Sequence, residues 1–167
     1  MRNRLVVMLC ALALAPLSYA QNASDIASVQ SGHDCEGCNL FQAELSYRDL
    51  EKVNLSGSRL RQADLSLSTM NNANFRAANL SVANLFAGRF TSADFRDADL
   101  SQSNMVGAYF GSADFHGAKL AGANVSGAEM ATAKGLTQAQ LDQACGDEAT
   151  ELPEGLRIPS CRKLLRR

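Results

Sequence analysis

Cys35 and Cys38 are the residues best suited to chemistry, and His33 lies two positions before the first of them. A C-x-x-C spacing is typical of a redox pair, of half a zinc site or of a structural disulfide. Zinc needs about four ligands, and His33 supplies only a third. A thioredoxin-like pair would sit at a helix start in a βαβ pattern, which the sequence lacks. We therefore expect a Cys35–Cys38 disulfide, with a redox pair or a metal site that adds His33 as the alternative.

Two more cysteines, Cys145 and Cys161, lie near the other end of the chain. An even number of cysteines in an exported chain favours disulfides. Pro153, Gly155 and Pro159 indicate a loop between the two cysteines. We therefore predict a Cys145–Cys161 disulfide that closes this loop, so that each end of the fold is held by one pair.

Residues 1–20 are typical of a secretory signal peptide. Two arginines precede an apolar run from Leu5 to Leu17, and small residues at the −3 and −1 positions end with Ala20. The apolar run is shorter than the roughly 20 residues that span a bilayer. We expect cleavage after Ala20 and an exported chain, periplasmic or secreted, with no transmembrane segment.

The rest of the chain must supply the elements that position these cysteines, and its main feature is an apolar residue at every fifth position from Leu40 to Met130. All nineteen positions hold Leu, Phe, Met or Val, seventeen of the residues two before them are small, and Asn or Asp precedes twelve of them. Five residues advance a helix about 140° beyond a full turn, and a strand would send successive apolar residues to opposite faces. Neither structure fits, whereas a short fixed repeat indicates a solenoid of stacked units.

The segments ADLSL, ANFRA, ANLSV, ADFRD, ADLSQ, ADFHG and ANVSG resemble the repeats of pentapeptide-repeat proteins, over about Cys38 to Lys134. This resemblance implies an all-β fold: a right-handed, four-sided (quadrilateral) β-helix solenoid with four pentapeptides and twenty residues in each coil. At that spacing the nineteen apolar positions sort into four columns, and all five phenylalanines among them fall in two adjacent columns. Because packing between coils would stack like on like, this segregation supports four sides independently of the resemblance.

The open ends of a solenoid expose unpaired backbone, so we expect the flanking segments to cover them. Thr137 to Gln140 resembles a capping box, which predicts a short helix to about Cys145. Arg48 occupies an inward position where small residues prevail, so we expect it to leave through the open end, or the first coil to be irregular. The expected divisions are a signal peptide (1–20), an N-terminal segment and cap (21–37), a β-helix of nearly five coils (38–134), and a C-terminal helix and disulfide-closed loop (135–167).

One group of outward positions is apolar where polar residues otherwise prevail. Phe86 and Val106 occupy one column, and Tyr47 and Leu67 occupy the next column on the same side. A contiguous exposed apolar patch can mark a contact surface, although single exposed apolar residues are normal. We take these four residues as the candidate protein contact.

A second outward group is charged. Arg76, Arg96 and His116 share one column, and Asp94 and Asp114 lie two residues before the last two of them. An anion-binding ladder is one interpretation. We favour a surface lattice of charges, because each neighbouring carboxylate partly cancels the field of the cation.

Enzyme signatures are missing, so we expect no catalytic residues and no cofactor. The leading hypothesis is a non-enzymatic exported scaffold that binds a protein or envelope partner, and the first alternative is the redox or metal-binding module at Cys35 and Cys38. The resemblance also implies a third role, because the family includes cytoplasmic proteins that protect DNA gyrase by resembling DNA. Residues 38–134 hold nine acidic and nine basic residues, and the signal peptide points outward, which disfavours that role and nucleic-acid binding. A homodimer through one end of the β-helix is a further expectation.

Overall fold

The computed structural model describes residues 22–161, in which helices α1 (Ala23–Gln30) and α2 (Gln138–Leu141) flank a stack of coils. Isolated parallel bridges connect residues that are twenty positions apart. The first joins Asn39 to Arg59, and the last of this regular series joins Asp114 to Lys134. Each coil carries four such bridges, so one pentapeptide forms each side of the predicted four-sided β-helix. The right hand implied by the family resemblance stays a prediction.

The predicted signal peptide and its cleavage after Ala20 lie outside the described residues, as do residues 162–167 of the C-terminal segment. Within residues 22–161, no helix is both long enough and apolar enough to cross a membrane.

One pentapeptide shows why the sequence repeat folds this way. In residues 79–83, three of the five backbone N–H groups bond to neighbouring coils: Asn79 to Ser58, Leu80 to Asp99 and Val82 to Ser101. The N–H of Ala83 donates to the Leu80 carbonyl at 3.0 Å and closes the turn. The remaining N–H, of Ser81, donates to the Asn79 side-chain oxygen at 3.0 Å. Where Asn or Asp precedes the central residue, as at Asn74, Asn79 and Asp94, its side chain satisfies the one N–H that no carbonyl reaches.

The turn at each corner places one residue in the left-handed region of φ. This residue is the second after the central Leu or Phe, and it has φ of 55° at Ala77 and 66° at Gly107. Left-handed backbone costs a side-chain-bearing residue roughly 1–2 kcal/mol, and glycine avoids that cost. Thirteen non-glycine residues nevertheless adopt positive φ in the described chain, so stacking of the coils imposes this conformation on most corners.

The core of the β-helix is a set of stacked apolar columns. Phe75, Phe95 and Phe115 form one stack, with successive ring centroids 5.0 and 5.1 Å apart. Phe90 and Phe110 form a second stack at 5.3 Å, and rings of the two stacks meet edge to face. The column positions are fully or almost fully buried. The segregation of phenylalanine in the sequence therefore corresponds to aromatic stacking between coils.

The Arg48 side chain lies outside the core, which agrees with the first of the two expectations, that the side chain leaves the interior while the coil stays regular. Its side chain is exposed, while its carbonyl accepts a hydrogen bond from the Thr69 N–H at 2.8 Å. The first coil therefore keeps its regular backbone at this position, and the misfit is confined to the side chain.

The N-terminal end is covered by α1, which sequence reasoning missed. Val29 of this helix is fully buried, and Ile26 packs against the core. The Gln30 amide donates to the Glu44 carbonyl at 2.8 Å, on the open edge of the first coil. The available signals were apolar residues three apart and Asp25 in the first turn, too little to predict a helix of eight residues by itself.

The coil pattern begins one pentapeptide earlier than expected. The N–H of Cys35 donates to the Asn54 carbonyl and that of Gly37 to the Ser56 carbonyl, each at 2.8 Å. These are the bonds that the central residue and the left-handed residue make in the repeat around Leu80. Residues 33–37 therefore form a divergent repeat in which Cys35 takes the inward, central position.

The C-terminal helix is shorter than predicted, although the capping box of Thr137 and Gln140 is present. The helix ends at Leu141 rather than near Cys145. Cys145 instead forms a parallel bridge with Asn124 and so extends the stack of coils. A helix that continued through Cys145 could not make this bridge to Asn124. The helix therefore ends earlier, because pairing of Cys145 with the last coil is the stronger interaction.

Side chains and backbone of the C-terminal segment cover the edge of the last coil. The Gln140 amide donates to the carbonyls of Phe115 and Ala118 at 2.9 and 2.8 Å. The Ala118 carbonyl is the one that a further coil would have bonded, since the equivalent carbonyls of Ala78 and Ala98 accept the N–H groups of Asp99 and Lys119. Glu151 forms a parallel bridge with Glu129. These contacts occupy edge groups that could otherwise pair with another chain.

Candidate functional site

The candidate contact residues lie along one corner of the β-helix, called here the apolar corner: Tyr47, Leu67, Phe86 and Val106. Backbone bonds place them in adjacent coils, because the Leu67 N–H donates to the Phe86 carbonyl at 2.9 Å. Tyr47 is 77% exposed, Leu67 43% and Phe86 42%, and Val106 is half-buried. The four apolar side chains thus reach solvent over successive coils of one edge.

Two residues of the apolar corner adopt a backbone conformation that is unfavourable for residues with a side chain. Tyr47 and Leu67 have φ of 57° and 56°, in the left-handed region that favours glycine. The equivalent position two coils above Leu67 is Gly107, with φ of 66°. At these two positions bulky side chains are both strained and exposed, so neither core packing nor backbone geometry explains them. Thirteen non-glycine residues of the described chain share this positive φ, so the exposure of the apolar side chains, rather than backbone strain, distinguishes this corner.

The side of the β-helix next to the apolar corner departs from the Asn or Asp consensus, and sequence reasoning missed this signal. Its outward residues in four successive coils are Thr69, Arg89, Tyr109 and Glu129, called here the Arg89 face. Four of the seven departures from the consensus fall on this one side. The Thr91 N–H, which an Asn or Asp at position 89 would have bonded, donates instead to the Asn71 side chain at 3.0 Å.

Arg89 and Tyr109 complete the candidate surface. The Arg89 guanidinium lies over the Tyr109 ring, 5.8 Å from its centroid. Tyr109 is one of five large apolar or aromatic residues exposed in the described chain. Within residues 22–161, Arg89 makes no ion pair, so its charge is available to a partner. Arg and Tyr beside exposed apolar residues match the composition of binding hot spots.

The charged column forms a lattice of ion pairs rather than a free cationic ladder. Arg96 makes a two-point contact with Asp94 and lies 3.9 Å from Asp114 of the next coil. Arg76 lies 3.9 Å from Asp97. The favoured interpretation from the sequence agrees with these contacts, because each of these arginines faces a carboxylate.

The lattice shifts the pKa of its carboxyl groups. The hydrogen bond from the Arg96 side chain lowers the pKa of Asp94 below its ordinary value, and this effect outweighs burial. The same hydrogen bond raises the pKa of Arg96. Burial alone would raise the pKa of Asp114, but hydrogen bonds from the backbone and ring of His116 lower it overall. Both carboxylates are therefore held in their charged form.

The cysteines are joined in the two pairs that the sequence analysis named. Cys35–Cys38 joins the divergent first repeat to the start of the next repeat, and Cys145–Cys161 closes the C-terminal loop. Asp25 of α1 is grouped with the first pair: its carboxylate oxygen and both sulfurs lie within 4.8 Å of one another. His33 is not in this group, and its Nδ1 lies 3.3 Å from the Ser28 carbonyl. Sequence spacing alone did not indicate Asp25, because α1 brings it back over the cysteines.

A groove of 810 Å³ continues the apolar corner beyond Val106. It begins at Ser126, which follows Phe86 and Val106 in the same column, and it is lined by Asp147, Ile158 and Cys161. Asp147 is engaged internally, because its Oδ1 accepts the Gly127 N–H at 2.9 Å. The groove therefore extends the apolar corner with a mixed polar and apolar floor.

Comparison with known proteins identifies the repeats. A family model described as Pentapeptide repeats matches eight copies, over residues 49–85 and 89–130. No curated protein sequence matches the chain.

Several solved structures are similar. HetL from Nostoc, a pentapeptide repeat protein involved in heterocyst differentiation regulation, is 21% identical over 77% of this chain and 60% of its own, with a TM-score of 0.33. A pentapeptide repeat protein of the Arabidopsis thaliana thylakoid lumen is 26% identical over 60% and 81%, with a TM-score of 0.32. Full-length QnrB1, a plasmid-mediated fluoroquinolone resistance protein, is 17% identical over 74% and 78%, with a TM-score of 0.36. The chain thus spans 60% of the HetL chain.

Proposed function

Because this chain is a pentapeptide-repeat protein, we propose that it acts as a non-enzymatic exported scaffold. It contacts a protein or envelope partner through Tyr47, Leu67, Phe86 and Val106, together with Arg89 and Tyr109. The observation that carries the proposal is the placement of large apolar side chains at exposed positions of one corner over successive coils. Tyr47 and Leu67 gain nothing from the core at these positions, so a partner surface is the best account of them.

The chemistry of the surface indicates the kind of partner. The apolar corner would contact apolar side chains of a partner. The Arg89 guanidinium, which makes no ion pair within residues 22–161, would donate hydrogen bonds to a carboxylate. The centre of a protein interface typically combines such groups inside a polar rim. A folded protein or an envelope-bound protein with an exposed apolar patch and an acidic group fits best.

Export is supported by two observations of different kinds. Residues 1–20 have the pattern of a signal peptide, and both disulfide pairs are joined. Disulfides persist in oxidising compartments and are rare in the cytosol. We therefore place the mature chain, with its cap (21–37), β-helix (38–134) and C-terminal segment (135–167), in the periplasm or outside the cell.

The test is cross-linking capture from the envelope fraction of the exporting cell, with the mature protein as bait. Phe86→Ser/Val106→Ser should abolish capture of the partner. Val82→Ser is the matched control, because Val82 is 40% exposed and left-handed but lies at the neighbouring corner. The control should capture the partner normally. Equal capture by the double variant, with unchanged thermal unfolding, would refute the contact surface.

Two other roles remain as alternatives of unequal weight. The redox or metal-binding module at Cys35 and Cys38 is favoured by one specific observation, the carboxylate of Asp25 beside the sulfurs. The gyrase-binding role is supported neither by charge nor by the proposed export, since residues 38–134 are balanced in charge. A homodimer through one end would require a cap to move or to take part in the contact, since α1 covers the N-terminal end and the C-terminal segment contacts the last coil.

A further inference from the structure

The cluster formed by Asp25, Cys35 and Cys38 brings together three potential metal-ligating atoms from two separate elements. Asp25 comes from the first turn of α1, and the cysteines come from the divergent first repeat and the start of the next. Their ligand atoms lie within 4.8 Å of one another. Asp25 and Cys38 are partly exposed, and Cys35 is 8% exposed. Two sulfurs and one carboxylate oxygen form a donor set that zinc accepts.

The Asp25 carboxylate has no other assignment among the described residues. It makes no hydrogen bond or ion pair with any residue from 22 to 161. A first-turn acid is favourable for the helix dipole, but that effect does not require the carboxylate to face two sulfurs. The placement next to Cys35 and Cys38 is therefore the feature to be explained.

The three residues are held by contacts that do not depend on the disulfide. The N–H of Cys35 donates to the Asn54 carbonyl at 2.8 Å, and the Cys38 carbonyl accepts the Arg59 N–H at 2.8 Å. The Cys35 carbonyl also accepts the Ser58 hydroxyl at 2.7 Å. The donors would consequently stay close together if the sulfur–sulfur bond were opened.

Further contacts hold the helix that carries Asp25. Val29 anchors α1 in the core, and the Gln30 amide bonds to the first coil. A rigid support of this kind is what keeps ligands in place for a metal.

We propose that reduction of the Cys35–Cys38 disulfide converts this cluster into a binding site for a thiophilic divalent cation, with Zn²⁺ as the reference ion. Asp25, Cys35 and Cys38 are the protein ligands, and solvent fills the fourth position. The site lies in the N-terminal cap and is independent of the proposed contact surface. It also differs from the alternative ligand set considered from the sequence, because Asp25 takes the place of His33.

A thiol reductant supplies the electrons and protons that are needed to reduce the Cys35–Cys38 disulfide. Two reductant thiols form their own disulfide and supply two electrons and two protons, which break the Cys35–Cys38 bond and give two cysteine thiols. Zn²⁺ then displaces the two thiol protons, because the thiolate is the ligand. With Zn–S bonds of about 2.3 Å and tetrahedral angles, the sulfurs must separate to about 3.8 Å. Rotation of the two side chains can supply this movement without displacing the hydrogen-bonded backbone.

The experiment compares metal binding by the oxidised and the reduced full-length chain. Co²⁺ is added as a spectroscopic probe, and its thiolate-to-metal absorption is then displaced by Zn²⁺. We expect one ion per chain in the reduced state and none in the oxidised state. Cys35→Ser/Cys38→Ser should abolish the signal while the Cys145–Cys161 pair is kept, so the C-terminal cysteines are common to both proteins. Circular dichroism establishes that each protein remains folded.

Single substitutions test the third ligand. Asp25→Asn should weaken Zn²⁺ affinity by about tenfold or more, since even outer-shell partners contribute that much. Glu36→Gln is the matched control, because this exposed carboxylate lies between the two cysteines in sequence but outside the cluster. It should leave the affinity unchanged, as should His33→Ala. Three results would overturn the proposal: no binding by the reduced chain, equal affinity in Asp25→Asn, or a Cys35–Cys38 bond that thiols cannot reduce in the folded chain.

Discussion

The corner residues provide a direct test of how the repeat stores backbone strain. Ala77 and Gly107 occupy equivalent left-handed positions, with φ of 55° and 66°, and both donate to the next coil at 2.9 Å. A Cβ added at Gly107 would meet nothing within 4 Å, and Ala77 is exposed. Exchange of the two residue types therefore changes the backbone preference and almost nothing else.

We expect Ala77→Gly to stabilise the protein and Gly107→Ala to destabilise it. Left-handed backbone costs alanine roughly 1–2 kcal/mol, and the greater freedom of unfolded glycine offsets roughly 0.5–1 kcal/mol of that. The free energy of unfolding should therefore rise by about 0.5–1 kcal/mol in the first variant and fall by a similar amount in the second. Urea denaturation, with the slope checked for constancy, measures both changes.

Ala78→Gly is the control for the exchange at position 77. Ala78 is adjacent but inward and 1% exposed, so the same chemical change removes a buried methyl group from ordinary backbone. We expect a loss of about 1–2 kcal/mol, from about 0.8 kcal/mol for the methyl group and roughly 0.5–1 kcal/mol for the flexibility of glycine. If Ala77→Gly and Ala78→Gly destabilise the protein equally, strain at the corners is not a significant term and the reasoning fails.

Three further predictions concern the core, the ion pairs and the loop. Ser103 has a buried hydroxyl without a hydrogen-bond partner in the described residues, so Ser103→Ala should raise the free energy of unfolding by up to about 1 kcal/mol; a clear loss in urea denaturation would contradict this. Because Arg96 lowers the pKa of Asp94, its contribution is complete above the unfolded-state pKa of about 3.9 and is lost as the pH falls through the lower folded-state pKa. Arg96→Gln should therefore flatten the acid side of the stability–pH profile, and an unchanged profile would argue against this pair. Cys145→Ser/Cys161→Ser opens a loop with a sequence separation of 16 and should cost about 3 kcal/mol, measured by urea denaturation; a negligible cost would mean that the ladder alone holds the cap.

The repeat region could be predicted because its local and tertiary requirements coincide. Each pentapeptide needs one apolar residue inward, one small residue beside it and one Asn or Asp for an orphan N–H, and all three needs are written at fixed spacing around Leu80. The same regularity hides the divergent repeat at 33–37, where Cys35 replaces the central apolar residue. Arg89 and Tyr109 were overlooked as exceptions to the Asn or Asp consensus. Their contact becomes evident only when successive coils are stacked.

The ends of the molecule were harder to anticipate, because they obey no repeat. α1 has eight residues and depends on burial of Val29 against the first coil, which no local pattern indicates. α2 stops at Leu141 because Cys145 pairs with the last coil, an interaction between residues distant in sequence. Local signals such as the capping box start a helix, but tertiary contacts decide where it ends.

The sequence by itself determined the solenoid and the columns of phenylalanine, since both follow from spacing along the chain. The twenty-residue coil came from the family resemblance, and the Cys35–Cys38 disulfide was one of three interpretations of that spacing. Only the tertiary structure decided what covers each open end. It placed Asp25 beside Cys35 and Cys38, because docking of a helix joins residues that no sequence period relates. The candidate metal cluster of this protein depends on that contact.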